Sequence, residues 1–337
     1  MTESRAEPHR NVPITVGDVT VQPGRTARFE LPFARLPTGT EASVPVAVVN
    51  GRYAGPHVWL SAAIHGDELN GIEIIRRVLR RVEARKLRGA LLAVPIVNVF
   101  GFLSESRYLP DRRDLNRSFP GSRRGSLATR LAGLFMSEVV SQCGVGIDLH
   151  TATNHRINLP QIRANLDDPA TLDLVRAFGA PFAIHARLRD GSLRQAANER
   201  GIRVLLYEAG QAHRFDEEAI TAGVNGVLRV LASMEMSDWE VPSAPSMRTT
   251  RRTTWIRSRR GGIVNLDVEL GDEVETGAVI GSIADSFGVR PTRIRAGTGG
   301  WVIAKSLNPL VAPGDALVHL AMDVGPDRDE PAEKRRK

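Results

Sequence analysis

From residue 44 onward, short apolar runs alternate with amphipathic segments of helical period, a pattern that predicts strands and helices taking turns along the chain. Residues 44–49 and 57–63 read as strands joined by a turn at 51–56, and the second is almost continuously apolar, as a buried strand is. From Asn70 to about Glu83, Ile72, Ile74, Ile75, Val78, Leu79 and Val82 recur at helical spacing, with Arg76, Arg77, Arg80 and Arg81 on the opposite, solvated face. A buried strand at 91–97, a helix at 126–141 and a strand at 145–150 follow. Three more strands at 157–162, 181–185 and 204–207 alternate with helices at 168–178 and 192–200, and a helix at 216–234 closes the unit. The expected fold class is α/β, with a mixed, largely parallel sheet covered by helices. The long loop at 98–125 stands out, because long ordered loops in compact domains tend to be functional.

Outside this unit the texture differs. Residues 1–40 are rich in proline and glycine, with short alternating pieces at 19–21 and 27–31, and read as an N-terminal extension of short peripheral strands. The polar segment 236–247 contains Pro242 and Pro245 and marks a boundary between a catalytic unit at 41–240 and a small all-β unit at 247–325. A tail at 326–337 is expected to be disordered. In the β unit, Leu270-Gly271-Asp272-Glu273-Val274 is echoed by Pro313-Gly314-Asp315-Ala316-Leu317, which implies two similar halves. The unit resembles the barrel-sandwich fold of biotinyl and lipoyl carriers. Those carriers need a lysine at a hairpin tip, where this chain reads Ala284-Asp285-Ser286-Phe287, so a wall of the active-site cleft is the better expectation.

Composition narrows the class. With 337 residues, 42% hydrophobic and 25% charged, the chain suits a soluble globular protein of about two domains. The single cysteine, Cys143, excludes an internal disulfide and a cysteine-rich metal knuckle, and its position between a helix and a strand suits a core residue. The polar N-terminus has no apolar signal region, and the most lipid-like run, 90–103, is short and broken by Pro95 and Asn98, so a cytoplasmic location away from membranes is expected. The formal charge of +7 and a pI near 10.2 invite a nucleic-acid reading. Only four of the 45 basic residues are lysine, however, and the arginines are scattered along amphipathic segments, which argues against it. Arginine excess fits a substrate that carries carboxylates, because the guanidinium fork matches a carboxylate.

Candidate chemistry gathers at strand ends. The strand ending at Ala63 runs into His65-Gly66-Asp67-Glu68, a histidine and a carboxylate three positions apart, with Gly66-Asp67 as the turn between them. Imidazole and carboxylate are ordinary zinc ligands, and a catalytic zinc takes three protein groups and leaves one position for water. The strand at 145–150 ends in His150, the candidate third ligand, and the strand ending at Tyr207 runs into Glu208, a further carboxylate. In open α/β sheets, ligands bind beyond such strand ends. Taken singly, each has a plainer reading: acids suited to a helix N-terminus, a satisfied core histidine, an ordinary acid near a helix.

His65-Gly66-Asp67-Glu68, Asp114-Leu115-Asn116-Arg117, Ile147-Asp148-Leu149-His150 and Glu208-Ala209-Gly210, in that order and followed by a β unit, resemble the succinylglutamate desuccinylase and aspartoacylase family, a branch of the zinc carboxypeptidase-like hydrolases. The resemblance spans roughly residues 40–325 and leaves the first 40 unaccounted for. It implies one zinc ion per chain, held by His65, Glu68 and His150, with water as nucleophile and Glu208 as the group that moves the water's proton to the departing amine. It implies that Arg107 stabilises the oxyanion, although two extra residues separate the Arg107-Tyr108 pair from the Asp114 motif and leave Arg112 or Arg113 as alternatives. Asn116 and Arg117 would bind the substrate's α-carboxylate. His155, Arg156 and Arg163 are weaker candidates for lining the pocket; His9, His57, His185, His213 and His319 fit no pattern. The implied activity is zinc-dependent hydrolysis of the N-acyl amide bond of a small N-acylated amino acid or related amine, in a chain able to form a homo-oligomer. A metallocarboxypeptidase acting on peptides and a non-catalytic ligand-binding module are the alternatives.

Overall fold

The computed structural model describes residues 9–326. Residues 1–8, and the expected tail from 327 on, lie outside the described part. In chain order the elements are β1 (Ile14–Val16), β2 (Val19–Val21), β3 (Arg25–Arg35), β4 (Glu41–Asn50), β5 (Tyr53–Ala62), α1 (Asn70–Arg81), β6 (Arg88–Val94), α2 (Val99–Leu103), α3 (Leu127–Glu138), β7 (Val145–Ala152), β8 (Arg156–Ala164), α4 (Pro169–Phe178), β9 (Phe182–His185), α5 (Leu193–Asn198), β10 (Arg203–Gln211) and α6 (Glu217–Ser233). Ten more strands follow: β11 (Arg248–Thr250), β12 (Arg252–Arg257), β13 (Gly262–Leu266), β14 (Glu273–Val274), β15 (Val279–Ala284), β16 (Thr292–Arg295), β17 (Gly300–Ser306), β18 (Leu310–Val311), β19 (Ala316–Met322) and β20 (Gly325–Pro326).

The architecture is mixed α/β. One large sheet runs β12-β19-β17-β8-β10-β7-β5-β6-β4-β3. Its centre, β10-β7-β5-β6, is parallel, and both flanks turn antiparallel at β8 and β4. The parallel strands are mostly apolar because both faces are covered, with polar groups such as Asp148, His150 and Glu208 gathered toward their C-terminal ends. α1, α4 and α6 pack Ile74, Ile75, Val78, Val175, Val224 and Val227 on one face. α3 and α5 pack Leu131, Phe135, Leu193 and Ala197 on the other, around the fully buried Trp59. Cys143 is buried in that second core, where burial pushes its thiol up and leaves it inert.

Two regions differ from the sequence expectation. Within the N-terminal 40 residues, residues 25–35 form a long strand that pairs with β4 along nearly its whole length, so the main sheet begins there. The alternation in 27–31 marked only part of it because Pro32 and a bulge before Ala34 interrupt the period. The loop at 98–125 also holds the short helix α2, which Asn98 caps by accepting from the Gly101 N–H. On the other side, the sheet continues past residue 247 without a break. β17 pairs with β8 through Ala304–Asn158, Lys305–Ile157 and Ser306–Arg156, which sets the β unit beside the strand ends of the catalytic sheet. The expected internal echo is a repeated turn. Asp272 Oδ2 accepts from Glu269 N at 2.8 Å, Asp315 Oδ2 accepts from Ala312 N at 2.8 Å, and Gly271 and Gly314 both sit at φ 91°. The unit's single described lysine, Lys305, is 2.6 Å from Glu269 and donates to the Val268 carbonyl, far in role from a carrier lysine. No helix among the described residues is long and apolar enough to cross a membrane.

Two consequences are measurable. A Cβ on Gly66 would lie 1.8 Å from the Gly101 carbonyl carbon, so Gly66 is required for room against α2. Gly66→Ala should cost about 1–3 kcal/mol in denaturant unfolding. In the β unit, His319 is buried and stacks on Trp255 at 4.4 Å between centroids. Burial, with Arg163 and Arg156 nearby, pushes its pKa down to about 3. The unfolded chain therefore takes up a proton that the folded one refuses, and stability is lost as pH falls from about 6.5 toward 3, at no more than about 1.4 kcal/mol per pH unit. His319→Phe should flatten that part of the acid limb in chemical-denaturation series.

Candidate active site

β5 ends at Ala62, and Ala63 turns the chain through the left-handed region at φ 49°. The 97–106 segment backs the turn: Val97 N donates to the Ala62 carbonyl, Asn98 N to that of Ala63, and Gly66 N to that of Ser106. His65 and Glu68 are thereby fixed beyond the C-terminal end of a central parallel strand. His150 occupies the corresponding place on the neighbouring β7, and Glu208 pairs with His150 in register on β10.

The side chains form a row of close polar contacts. Glu68 sits between the imidazoles, its Oε1 2.8 Å from His65 Nδ1 and its Oε2 2.7 Å from His150 Nδ1. Thr151 N donates to the second oxygen at 3.2 Å. Each outer ring nitrogen meets another carboxylate: His150 Nε2 lies 2.8 Å from Asp148 Oδ2, and His65 Nε2 faces Asp114 Oδ1 at 3.3 Å without hydrogen-bond alignment. Ser61 Oγ donates to Asp148 Oδ1 at 2.6 Å. His65, Glu68, His150 and Asp148 are all under 5% exposed, which leaves the groups to compensate one another. Burial works against charge on the imidazoles, yet Asp148 and Glu68 hold His150 well above the ordinary histidine value, and Glu68 and Asp114 raise His65. Burial likewise opposes ionisation of Glu68, but the two imidazoles hold it below the usual carboxylate range.

These groups fit a divalent metal. One ligand atom from each of His65, Glu68 and His150 lies within 4.8 Å of the other two. Two imidazole nitrogens and a carboxylate oxygen, with the outer nitrogens aimed at carboxylates, are a donor set suited to zinc.

Glu208 faces the same cavity. Asn158 Nδ2 donates to its Oε2 at 2.8 Å, while Arg163 Nε stands 4.0 Å from Oε1. Burial pushes this carboxyl above its ordinary range against the pull of Arg163. Arg107 is gripped by Asp114 Oδ2 through Nε at 3.2 Å and Nη2 at 2.8 Å, and its Nη1 stands 3.8 Å from Glu68 Oε1. Arg112 and Arg113 are exposed and do not line the cavity. Asn116 Oδ1 accepts from Leu193 N at 3.0 Å and Arg117 donates to the Asn116 carbonyl; both side chains line the cavity.

The cavity, of about 410 Å³, brings together His65, Glu68, His150, Glu208, Arg107, Asn116 and Arg117. Of the weaker candidates, Arg156 and Arg163 line it, whereas His155 faces a separate depression with Gln211 and Leu307. His155 follows Asn154 in the left-handed region, which turns its side chain away. Sequence reasoning missed Asp148, Asn158, Arg187, Arg189, Arg194 and Trp255. Asp148 carried a signal, since residues two apart on a strand share a face and it precedes His150 by two. Arg194 is buried, donates to the carbonyls of Ala186 and Arg187, and is pushed down to about 10 by burial and by the neighbouring Arg163 and Arg189. The cavity lining holds seven arginines (Arg107, Arg117, Arg156, Arg163, Arg187, Arg189, Arg194) against two carboxylates, Glu68 and Glu208.

Comparison with known proteins agrees with this geometry. Residues 54–234, more than half of the chain, match the family model of the succinylglutamate desuccinylase/aspartoacylase catalytic domain. An N-alpha-acetyl-L-2,4-diaminobutyric acid deacetylase from Halomonas elongata is 29% identical over 309 residues, covering 86% of this chain and 90% of the relative. A succinylglutamate desuccinylase/aspartoacylase structure from Rhodobacter sphaeroides superposes with a TM-score of 0.78 at 28% identity, covering 90% of this chain and 96% of that one. The fold is also that of the ectoine utilization protein EutE (DoeB) from Ruegeria pomeroyi, with a TM-score of 0.81 at 23% identity over 92% of this chain and 99% of that one. The chain therefore belongs to the succinylglutamate desuccinylase/aspartoacylase family.

Proposed function

We propose that this protein is a zinc-dependent amidohydrolase of the carboxypeptidase-like kind, removing the N-acyl group from a small N-acylated amino acid or related amine. The observation that carries the reading is the convergence of His65, Glu68 and His150, with ligand atoms within 4.8 Å of one another, in the cavity that Glu208 also faces. The Halomonas elongata relative, by its name a deacetylase of an N-acetylated amino acid, supports the same reaction class.

A zinc ion held by His65, Glu68 and His150 supplies Lewis acidity toward a carbonyl oxygen and makes a water acidic near neutral pH. The chain's own groups do the rest. Glu208 has one oxygen occupied by Asn158 and turns the other toward the cavity, where burial makes it more basic than an ordinary carboxylate. It takes the proton of the attacking water and returns it to the departing amine nitrogen. Arg107, its Nε and Nη2 committed to Asp114, presents Nη1 beside Glu68, where negative charge grows on the amide oxygen. Arg117 and the amide nitrogen of Asn116 receive the substrate's carboxylate. Asp148 and Asp114 orient the two imidazoles from behind. A cavity of about 410 Å³, walled by Thr253 and Trp255 of the β unit, suits a small substrate better than a peptide.

The test is amine release from a panel of N-acetyl, N-succinyl and N-formyl amino acids, with and without chelator. Glu208→Gln should lower kcat by about 10²–10⁴-fold while metal content is unchanged. If zinc-loaded protein released no amine from any member while Glu208→Ala bound ligand as well as wild type, a ligand-binding module would replace this reading. Asp148→Asn should weaken zinc affinity by about 10–100-fold in chelator competition, with secondary structure intact by circular dichroism.

A further inference from the structure

At the opposite end of the catalytic strands, four chain segments bring arginines to one concave surface. Arg10, Arg25, Arg52 and Arg85, together with Tyr53, Pro23 and Gly24, line a depression of about 620 Å³ that contains no carboxylate. Tyr53 begins β5, whose other end leads to His65, so this depression and the catalytic cavity lie at opposite ends of a ten-residue strand. Among the described residues none of the four arginines has a carboxylate within ion-pair distance.

The floor beneath them is rigid and polar. Asn11 and Asn50 are buried and bonded to each other, Asn11 Nδ2 donating to Asn50 Oδ1 at 2.8 Å and to the Gly89 carbonyl at 3.0 Å. Asn50 Nδ2 donates to the carbonyls of Val12 at 2.9 Å and Val21 at 2.8 Å. Backbone bonds tie in each segment that carries an arginine: Asn11 N to the Arg52 carbonyl at 3.1 Å, Ala54 N to that of His9 at 2.8 Å, Gly24 N to that of Asn50 at 2.9 Å, and Arg52 N to that of Ala84 at 2.9 Å. The Arg52 guanidinium lies over the Tyr53 ring at 5.6 Å from its centroid. Like charges gathered on a fixed scaffold repel one another, and among the described residues no carboxylate lies within ion-pair distance to offset them. An anion would do so. Arg10, Arg25 and Arg52 lie before the 54–234 segment that matches the family model, and Arg85 lies within it.

We infer that this depression binds a small polyphosphate anion, such as pyrophosphate or the phosphate chain of a nucleotide. Four guanidinium forks offer a density of positive charge that a single carboxylate would not neutralise, and guanidinium recognises phosphate oxygens in pairs. The fixed floor means that little ordering is left to be done on binding.

The experiment is titration calorimetry on the full, metal-loaded chain at 0.15 M salt, with pyrophosphate, ATP and inorganic phosphate as separate ligands, on wild type and on Arg52→Ala/Arg85→Ala. Because the catalytic cavity is also rich in arginine, Arg187→Ala/Arg189→Ala, two exposed cavity arginines, is run beside it. Saturable pyrophosphate binding, weakened about tenfold or more per guanidinium removed in Arg52→Ala/Arg85→Ala and retained in Arg187→Ala/Arg189→Ala, supports the site. Tighter ATP than pyrophosphate binding identifies a nucleotide as the source of the phosphates. Both side chains are exposed, so the variant should fold, and unchanged zinc content and melting temperature verify that. Binding unaffected by Arg52→Ala/Arg85→Ala, or lost only in Arg187→Ala/Arg189→Ala, would overturn the inference. So would failure of all three ligands.

Discussion

The site hangs on one carboxylate shared by two buried imidazoles. Each oxygen of Glu68 meets one histidine, and His150 bonds Asp148 through its remaining nitrogen, so Glu68, His150, Asp148 and Ser61 follow one another, while His65 Nε2 faces Asp114 at 3.3 Å without a hydrogen bond. Removing one of these buried charged groups would strand its partner, which costs about 3–5 kcal/mol. Position follows from the sheet: Ser61 and Asp148 are register partners on adjacent parallel strands, as His150 and Glu208 are on the next pair. The imidazoles are held more basic than usual by their acidic neighbours, and metal binding to nitrogen requires loss of those protons. A metal held by His65 and His150 would therefore compete with protons for these imidazoles.

How much of this was legible depends on how far apart the cooperating residues are. Helix α1 and the strands around His65, His150 and Glu208 were readable because apolar period and strand ends are local properties, and a central parallel sheet turns strand ends into neighbours. Arg107 remained open against Arg112 and Arg113 because the loop's conformation decides it. Asp114 in fact reaches back seven positions to hold Arg107, while its two rivals point to solvent. Asn158 and Trp255 gave no sequence signal. They reach the cavity only because β8 pairs with β10 on one side and with β17 on the other, with β12 further along the same sheet. Such register is set by tertiary packing.

The arginine excess divides in the same way. On α1 the basic face is what it seemed in the sequence: Arg76, Arg77 and Arg80 all reach Glu73, and Arg77 also bridges to Glu217. At the catalytic cavity the arginines converge from the 98–125 loop, β8 and the segment before α5, with few acids among them. A spread of positive charge along the sequence thus becomes a concentrated positive field at one cleft, of the kind that favours anions over cations.

The β unit shapes that cleft from the side. Trp255 stacks on the neutral His319 at an interplanar angle of 5°, and Arg156 lies over the indole at 5.2 Å. Because β12 and β19 hold Trp255 and His319 in register, the aromatic wall is as rigid as the sheet that carries it. A rigid wall opposite a fixed metal-ligand set leaves the size of the acyl group as the variable that the cavity can select. The guanidinium of Arg117 and the indole of Trp255 are contributed by different parts of the chain, the 98–125 loop and β12, so the charged and the apolar lining of the cavity can change independently of each other and of the His65, Glu68 and His150 cluster.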